Sequence, residues 1–151
     1  MRYIKILLLV FLSFLMFSSC ASKKKIYDKN TYNWGPIADN VTNYEISSFE
    51  YCYNNSPEAL CGLIETYQTI LNDSKGNDRL IPPGICAEFG YVLLNPETKS
   101  IFEEYATAEQ KRLMSGIIFK EYGKSLIEKE MKLYPESRVY LERIIKNITN
   151  N

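Results

Sequence analysis

Ser56-Pro57-Glu58-Ala59-Leu60-Cys61-Gly62-Leu63-Ile64-Glu65-Thr66-Tyr67-Gln68-Thr69-Ile70-Leu71-Asn72 decides the fold class of this chain. Ser56 stands where a hydroxyl accepts from the free amides that open a helix. Pro57 suits the first helical position, where its missing N–H would have had no partner, and Glu58 sets negative charge against the positive end of the helix dipole. Leu60, Leu63, Ile64, Tyr67, Ile70 and Leu71 then recur at steps of three and four. Such spacing puts them on one buried stripe of a helix ending at Asn72, before a break over 73–80.

The same period continues downstream. Pro82-Pro83 opens a helix in which Ile85, Cys86, Phe89, Val92 and Leu93 share a face and Gly90 leaves room for a close neighbour, until Asn95-Pro96 ends it. Glu97 to Tyr105 forms a short helix, and Thr107-Ala108-Glu109-Gln110 has the capping-box pattern that starts a longer one. Leu113, Met114, Ile117, Ile118, Tyr122, Leu126, Ile127 and Met131 mark that longer helix, bent near Gly116 or Gly123. After a turn at Tyr134-Pro135-Glu136-Ser137, Val139, Tyr140, Ile144, Ile145 and Ile148 line a terminal helix. Upstream, Val41, Tyr44, Ser48, Tyr51 and Cys52 hold a looser helical spacing that predicts a helix over 37–54. No run alternates with period two, so the expected fold class is all-α.

The chain has 151 residues, 18 Lys plus Arg, 18 Asp plus Glu, no His and four Cys, enough for one domain. Zero net charge offers no clustered cations for nucleic acid, so no nucleic-acid partner is expected. Without imidazole there is no Ser-His or Cys-His nucleophile pair and no His-containing zinc site. Neither a phosphate loop, nor G-x-S-x-G, nor Cys-x-x-Cys is present. No cofactor or metal is called for.

The amino terminus points to the envelope of a bacterium. Arg2 and Lys5 precede an apolar run from Ile6 to Phe17, broken only by Ser13, the pattern of a signal-peptide core. A membrane-spanning helix needs about 20 apolar residues, and this run stops at Ser18-Ser19. Leu15-Met16-Phe17-Ser18-Ser19-Cys20 resembles the lipobox of bacterial lipoproteins, with Phe17 in place of the usual leucine. That resemblance implies cleavage between Ser19 and Cys20 and acylation of Cys20, with palmitate among its chains. Each buried methylene contributes about 0.8 kcal/mol, so several acyl chains hold a small domain to a bilayer. Ala21-Ser22-Lys23-Lys24-Lys25 has neither the Asp resembling an inner-membrane retention signal nor the acidic run resembling a surface-export signal. Outer membrane, facing the periplasm, is the expectation. Losing Arg2 and Lys5 with residues 1–19 takes away two cations and no acid, for a net charge of −2.

The expected layout is a signal peptide over 1–19, a lipid-anchored tether over 20–36 and a helical domain over 37–151. Cys86-x-x-Phe89-Gly90-x-x-Leu93, with Gly123, Ile127 and Pro135, is similar to the large-and-small pattern of a tetratricopeptide unit, lengthened by an insertion over 96–116. Any antiparallel helix pair with a close crossing would use the same small residues. Tyr32-Asn33-Trp34-Gly35, Ser56-Pro57-Glu58, Leu63-Ile64-Glu65-Thr66-Tyr67, Pro82-Pro83-Gly84-x-x-Ala87-Glu88-Phe89-Gly90-Tyr91 and Lys129-Glu130-x-x-Leu133-Tyr134-Pro135-Glu136-Ser137 together resemble the lipoprotein family catalogued as domain of unknown function 4810. The resemblance covers most of the chain after Cys20. It implies antiparallel helical hairpins of tetratricopeptide type and an accessory role in envelope assembly or secretion beside a CsgG-type lipoprotein.

Two questions stay open at this level. Tyr27, Tyr32, Trp34, Tyr44, Phe49, Tyr51 and Tyr53 crowd the first third of the chain after Cys20. Aromatics of this kind serve interface hot spots or complete a core. Trp34, Tyr32, Tyr51 and Tyr53 are the candidate partner-binding residues, and for Trp34 a core position competes. The other question is catalysis. Glu97, Glu103, Glu104, Glu109, Glu121 and Glu128 alternate with lysines as on a solvated face, so no enzyme is expected. The alternative function is a carboxylate-dependent cell-wall hydrolase, which needs two carboxyls about 5–9.5 Å apart with one in an apolar pocket. Once Cys20 is acylated, Cys52, Cys61 and Cys86 are an odd set in an oxidising compartment, and Cys61 and Cys86 read as buried small hydrophobes.

Overall fold

The structure is a computed structural model that describes residues 31–38, 41–76 and 79–149. The predicted signal peptide, with Ser19, Cys20 and the first part of the predicted tether, lies outside the described residues.

The fold is all-α. Seven α-helices occur among the described residues: α1 (Asn43–Asn54), α2 (Pro57–Gly76), α3 (Ile85–Leu94), α4 (Pro96–Tyr105), α5 (Ala108–Leu113), α6 (Phe119–Leu133) and α7 (Arg138–Thr149). A two-residue antiparallel ladder, β1 (Ile37–Ala38) with β2 (Val41–Thr42), precedes them.

Sequence patterning places most of these elements, and each difference has a local cause. The first helix starts at Asn43, six residues later than the predicted range. Thr42 caps it: Thr42 Oγ1 accepts from the Glu45 amide at 3.2 Å, and the Glu45 carboxylate accepts from the Thr42 amide at 2.8 Å. That reciprocal box outweighs continuation upstream, where β-branched Ile37 and Val41 take the extended ladder instead. At its other end, α2 runs past Asn72 to Gly76, and the Ser74 hydroxyl donates to the Ile70 carbonyl at 2.8 Å within its last turn. The single long helix expected from Thr107 is two helices. Thr107 and Gln110 do form the capping box, but Gly116 takes φ +75°, a left-handed conformation incompatible with helix, and the chain restarts at Phe119.

Residues 31–36, read from the sequence as the end of a tether, are laid against the helices. Asn33 is buried, its backbone amide donates to the Leu80 carbonyl at 2.9 Å, and its side-chain amide donates to the Ile70 carbonyl at 3.1 Å. Asn33 Oδ1 in turn accepts from the Gly35 amide. A buried polar side chain is held this firmly because each of its groups needs a partner out of water.

The core follows the predicted stripes of α2 and α3, whereas Ile118, Val139 and Tyr140, read from the sequence as stripe residues, are exposed: Ile118 falls in the break before α6, and α7 turns Val139 and Tyr140 outward. Leu60, Leu63, Ile64, Tyr67, Ile70 and Leu71 of α2 are all buried, joined by Ile85, Cys86, Phe89 and Leu93 of α3 and by Phe102, Met114 and Leu126. The most extensive helix contact is α3 on α6, where Gly90 and Gly123 face each other. Leu94, Ile127 and Leu141 extend the packing to α7.

Candidate docking face on the first helix

Helix α1 packs against α2 without fully burying any of its side chains. Its two arcs behave differently. At about 100° per residue, Tyr44, Ser47 and Tyr51 fall on one side and Ile46, Phe49 and Tyr53 on the other. The inner arc is fastened. Tyr44 and Tyr51 pack against the core, Asn43 donates to Thr66 Oγ1 at 3.3 Å, and the Ser47 and Thr66 hydroxyls meet at 2.7 Å.

An aromatic series runs inward from this arc. Ring centroids lie 5.5 Å apart for Trp34–Tyr44, 6.1 Å for Tyr44–Tyr67, 5.2 Å for Tyr67–Phe89 and 5.9 Å for Phe89–Tyr122. One carboxylate oxygen, Glu88 Oε2, accepts from both the Tyr44 hydroxyl at 2.7 Å and the Tyr67 hydroxyl at 2.9 Å. Burial, with Glu88 beside it, pushes the Tyr44 phenol up to about 12, and the same two causes push Tyr67 up further. Both phenols therefore stay protonated as donors, and Glu88 ties α1, α2 and α3 together.

The outer arc is exposed among the described residues. Ile46 is 46% exposed, Phe49 70% and Tyr53 79%, with Phe49 and Tyr53 stacked at 5.7 Å and 11°. Exposed Glu45 and Glu50 stand at either edge of this apolar stripe, and α1 contains no Lys or Arg. Isolated apolar side chains on a surface mean little, but a contiguous stripe with a polar rim marks an interaction site. Its aromatic content fits a protein-binding hot spot.

The four aromatic candidates are thus split. Tyr53 is on the exposed stripe. Tyr32, Trp34 and Tyr51 are half-buried: Trp34 and Tyr51 pack against the core, while Tyr32 is bridged to Leu80 and lies 6.5 Å from Trp34. Ile46 and Phe49 complete the stripe, and sequence reasoning did not select them. Their spacing at i, i+3 and i+7 with Tyr53 was available as a signal, but a helix with apolar residues on both arcs does not announce which arc faces water.

A second polar cluster bears on catalysis. Glu130 of α6 is 2% exposed, and its Oε1 accepts from the Gly84 amide at 2.7 Å. It caps α3 from another helix, since Gly84 at the N-cap position has no side chain to do so. Burial pushes the Glu130 carboxyl above the ordinary carboxylate range, against the opposing pull of the Gly84, Ala87 and Cys86 amides. Tyr134, beside it, donates to the Ile81 carbonyl. This carboxyl is buried and engaged at the start of α3.

Among the described residues no group of three or more Asp, Glu or Cys is placed to hold a metal ion, and no helix is long and apolar enough to cross a membrane. Comparison with family models, curated proteins and solved structures finds no match to this chain.

Proposed function

We propose that this chain is a bacterial envelope lipoprotein, acylated on Cys20 and anchored in the outer membrane facing the periplasm. There it is a non-catalytic protein-binding accessory in envelope assembly or secretion, working with a CsgG-type lipoprotein. The exposed Ile46/Phe49/Tyr53 stripe on a helix otherwise bonded firmly to the core carries the binding part of this reading. The lipobox-like Leu15–Cys20 run supports the tether.

The competing hydrolase needs a carboxyl with raised proton affinity presented to a substrate. Glu130 has the affinity, but its burial and its bond to Gly84 engage it as a helix cap. Palmitate labelling of the full chain and of Cys20→Ser tests the anchor: label on the wild type alone is the expected result, and label persisting on the variant overturns it. Crosslinking in intact membranes tests the binding role, with one dominant envelope protein expected on the wild type and lost on Phe49→Asp.

A further inference from the structure

The end of α3, α4, the end of α5 and the start of α6 leave an open groove. It consists of two hollows of about 420 and 300 Å³ that share Lys99 and Phe119 as a common wall. Leu93 and Pro96 line the first, Met114 and Ile117 the second. Ile118, next to the shared wall, is 69% exposed. The charges along this groove are Lys99, Lys111 and Lys120 against one acid, Glu103. Glu103 is already paired with Lys99 at 3.5 Å, while Lys111 and Lys120 make no ion pair within 4 Å among the described residues.

An apolar trough edged with uncompensated lysines calls for an apolar helix face edged with acids. The molecule carries such a face. The α1 stripe of Ile46, Phe49 and Tyr53 is edged by Glu45 and Glu50 with no cation in the helix. A protomer's own α1 cannot reach its own groove, because Tyr44–Glu88 and Ser47–Thr66 fix that helix against α2 and α3. Residues 20–30 do not fit the groove either: Lys23, Lys24, Lys25 and Lys29 against Asp28 give them the same sign as its rim.

We infer that α1 of one protomer docks in the Lys99/Lys111/Lys120 groove of a second copy of this chain, so that the lipoprotein assembles head to tail. Two different patches meeting in this way form a heterologous contact, which either closes into a reciprocal pair or ring, or runs on as a filament. The inference rests on reading the α1 stripe as a protein-binding face and fills that stripe with a second copy, so that an envelope partner would meet the assembled form and not the stripe itself. It does not depend on the lipid anchor.

The test is a charge swap on the full chain in detergent micelles, with mass measured by sedimentation in density-matched buffer. At low salt the wild type sediments as a multiple of the protomer, and raising the salt shifts it toward the single chain. Glu50→Lys, and separately Lys111→Glu with Lys120→Glu, each weaken association about tenfold or more, as loss of a close charge pair does. Mixing the two variants restores the multimer, because a lysine-edged helix now meets a glutamate-edged groove and the wild-type pair forms in the other direction. All substituted side chains are exposed, so circular dichroism should show unchanged helix content. A wild type that stays single at every concentration overturns the inference, as do variants that fail to restore each other. So does a monomer whose vesicle binding is lost in Phe49→Asp, which would give the stripe to lipid. A chain that assembles without palmitate keeps this inference and loses the tether. One that is acylated yet single does the reverse.

Discussion

Gly90 and Gly123 stand with their backbones in direct contact at the crossing of α3 and α6: a Cβ on Gly90 would lie 2.7 Å from the Gly123 carbonyl oxygen, and one on Gly123 would lie 2.9 Å from that of Gly90. The Gly90 Cβ would also meet Ile127 Cγ1 at 2.7 Å. Neither obstacle can swing away, since one is backbone and the other belongs to a fully buried side chain. Gly90→Ala is therefore expected to destabilise the domain by about 1–3 kcal/mol, the range for overpacking a closed core. Gly62→Ala is the control. A Cβ there meets nothing within 4 Å, and removing a glycine from mid-helix should stabilise by about 0.5–1 kcal/mol. Urea unfolding of the two variants checks both signs, and equal shifts would contradict the crossing.

The Gly90–Gly123 contact was readable because small residues at helix spacing point to a close crossing, and the stripes of α2 and α3 were readable because one face of each is strongly apolar. The start of α1 was not. Ile37, Val41 and Thr42 suit either a strand or a helix, and the deciding event is a Thr42–Glu45 capping box whose strength depends on what lies upstream. The docking stripe was half legible. Tyr53 stood out as an aromatic, but Phe49 and Tyr51 look alike in sequence, and only the packing of α1 on α2 turns one outward and the other inward. Glu130 stands in the Lys129-to-Ser137 motif, but its capping role was not legible. Its partner is the Gly84 amide, 46 residues away in sequence, and no local pattern encodes that meeting.

Glu88 accepts from two phenols, so its removal and theirs should not add. Glu88→Ala leaves the buried Tyr67 hydroxyl without an acceptor, and an unsatisfied buried polar group costs about 1–3 kcal/mol. Tyr67→Phe alone should cost about 0.5–1.5 kcal/mol, the net worth of the bond. In the Glu88→Ala background the same Tyr67→Phe change should be neutral or stabilising, because it removes the orphaned group. A double-mutant cycle by denaturant unfolding measures this directly, and strict additivity would mean that the two side chains do not interact.

Cysteine chemistry should separate the three thiols of the described domain. Cys52 is exposed on α1, while Cys61 and Cys86 are buried and unpaired. Burial pushes the Cys86 thiol up to about 11 and raises Cys61 in the same direction, which lowers the thiolate fraction that does the reacting. An alkylating reagent at pH 8 is expected to modify Cys52 rapidly in the native protein, and Cys61 and Cys86 only as fast as the domain opens. Mass spectrometry against time in and out of denaturant reads this. Rapid modification of Cys86 in the native state would place α3 away from the core.

Glu130 predicts the pH dependence of stability. Its folded-state proton affinity is raised by burial, so between the ordinary carboxylate range and its raised value the native state holds a proton that the unfolded chain has lost. Stability then falls as pH rises through that window, the opposite of a salt-bridged acid. Protonation gives the buried carboxyl a neutral form that burial no longer penalises. Glu130→Gln keeps an oxygen for the Gly84 amide and carries no charge at any pH. The variant should gain on the wild type as the buffer is taken from about pH 4 toward neutrality, with the two close together at the acid end. Thermal unfolding of both proteins across that range gives the difference curve. A flat difference would show that Glu130 keeps its ordinary proton affinity, and a falling one that its charge is stabilising where it sits.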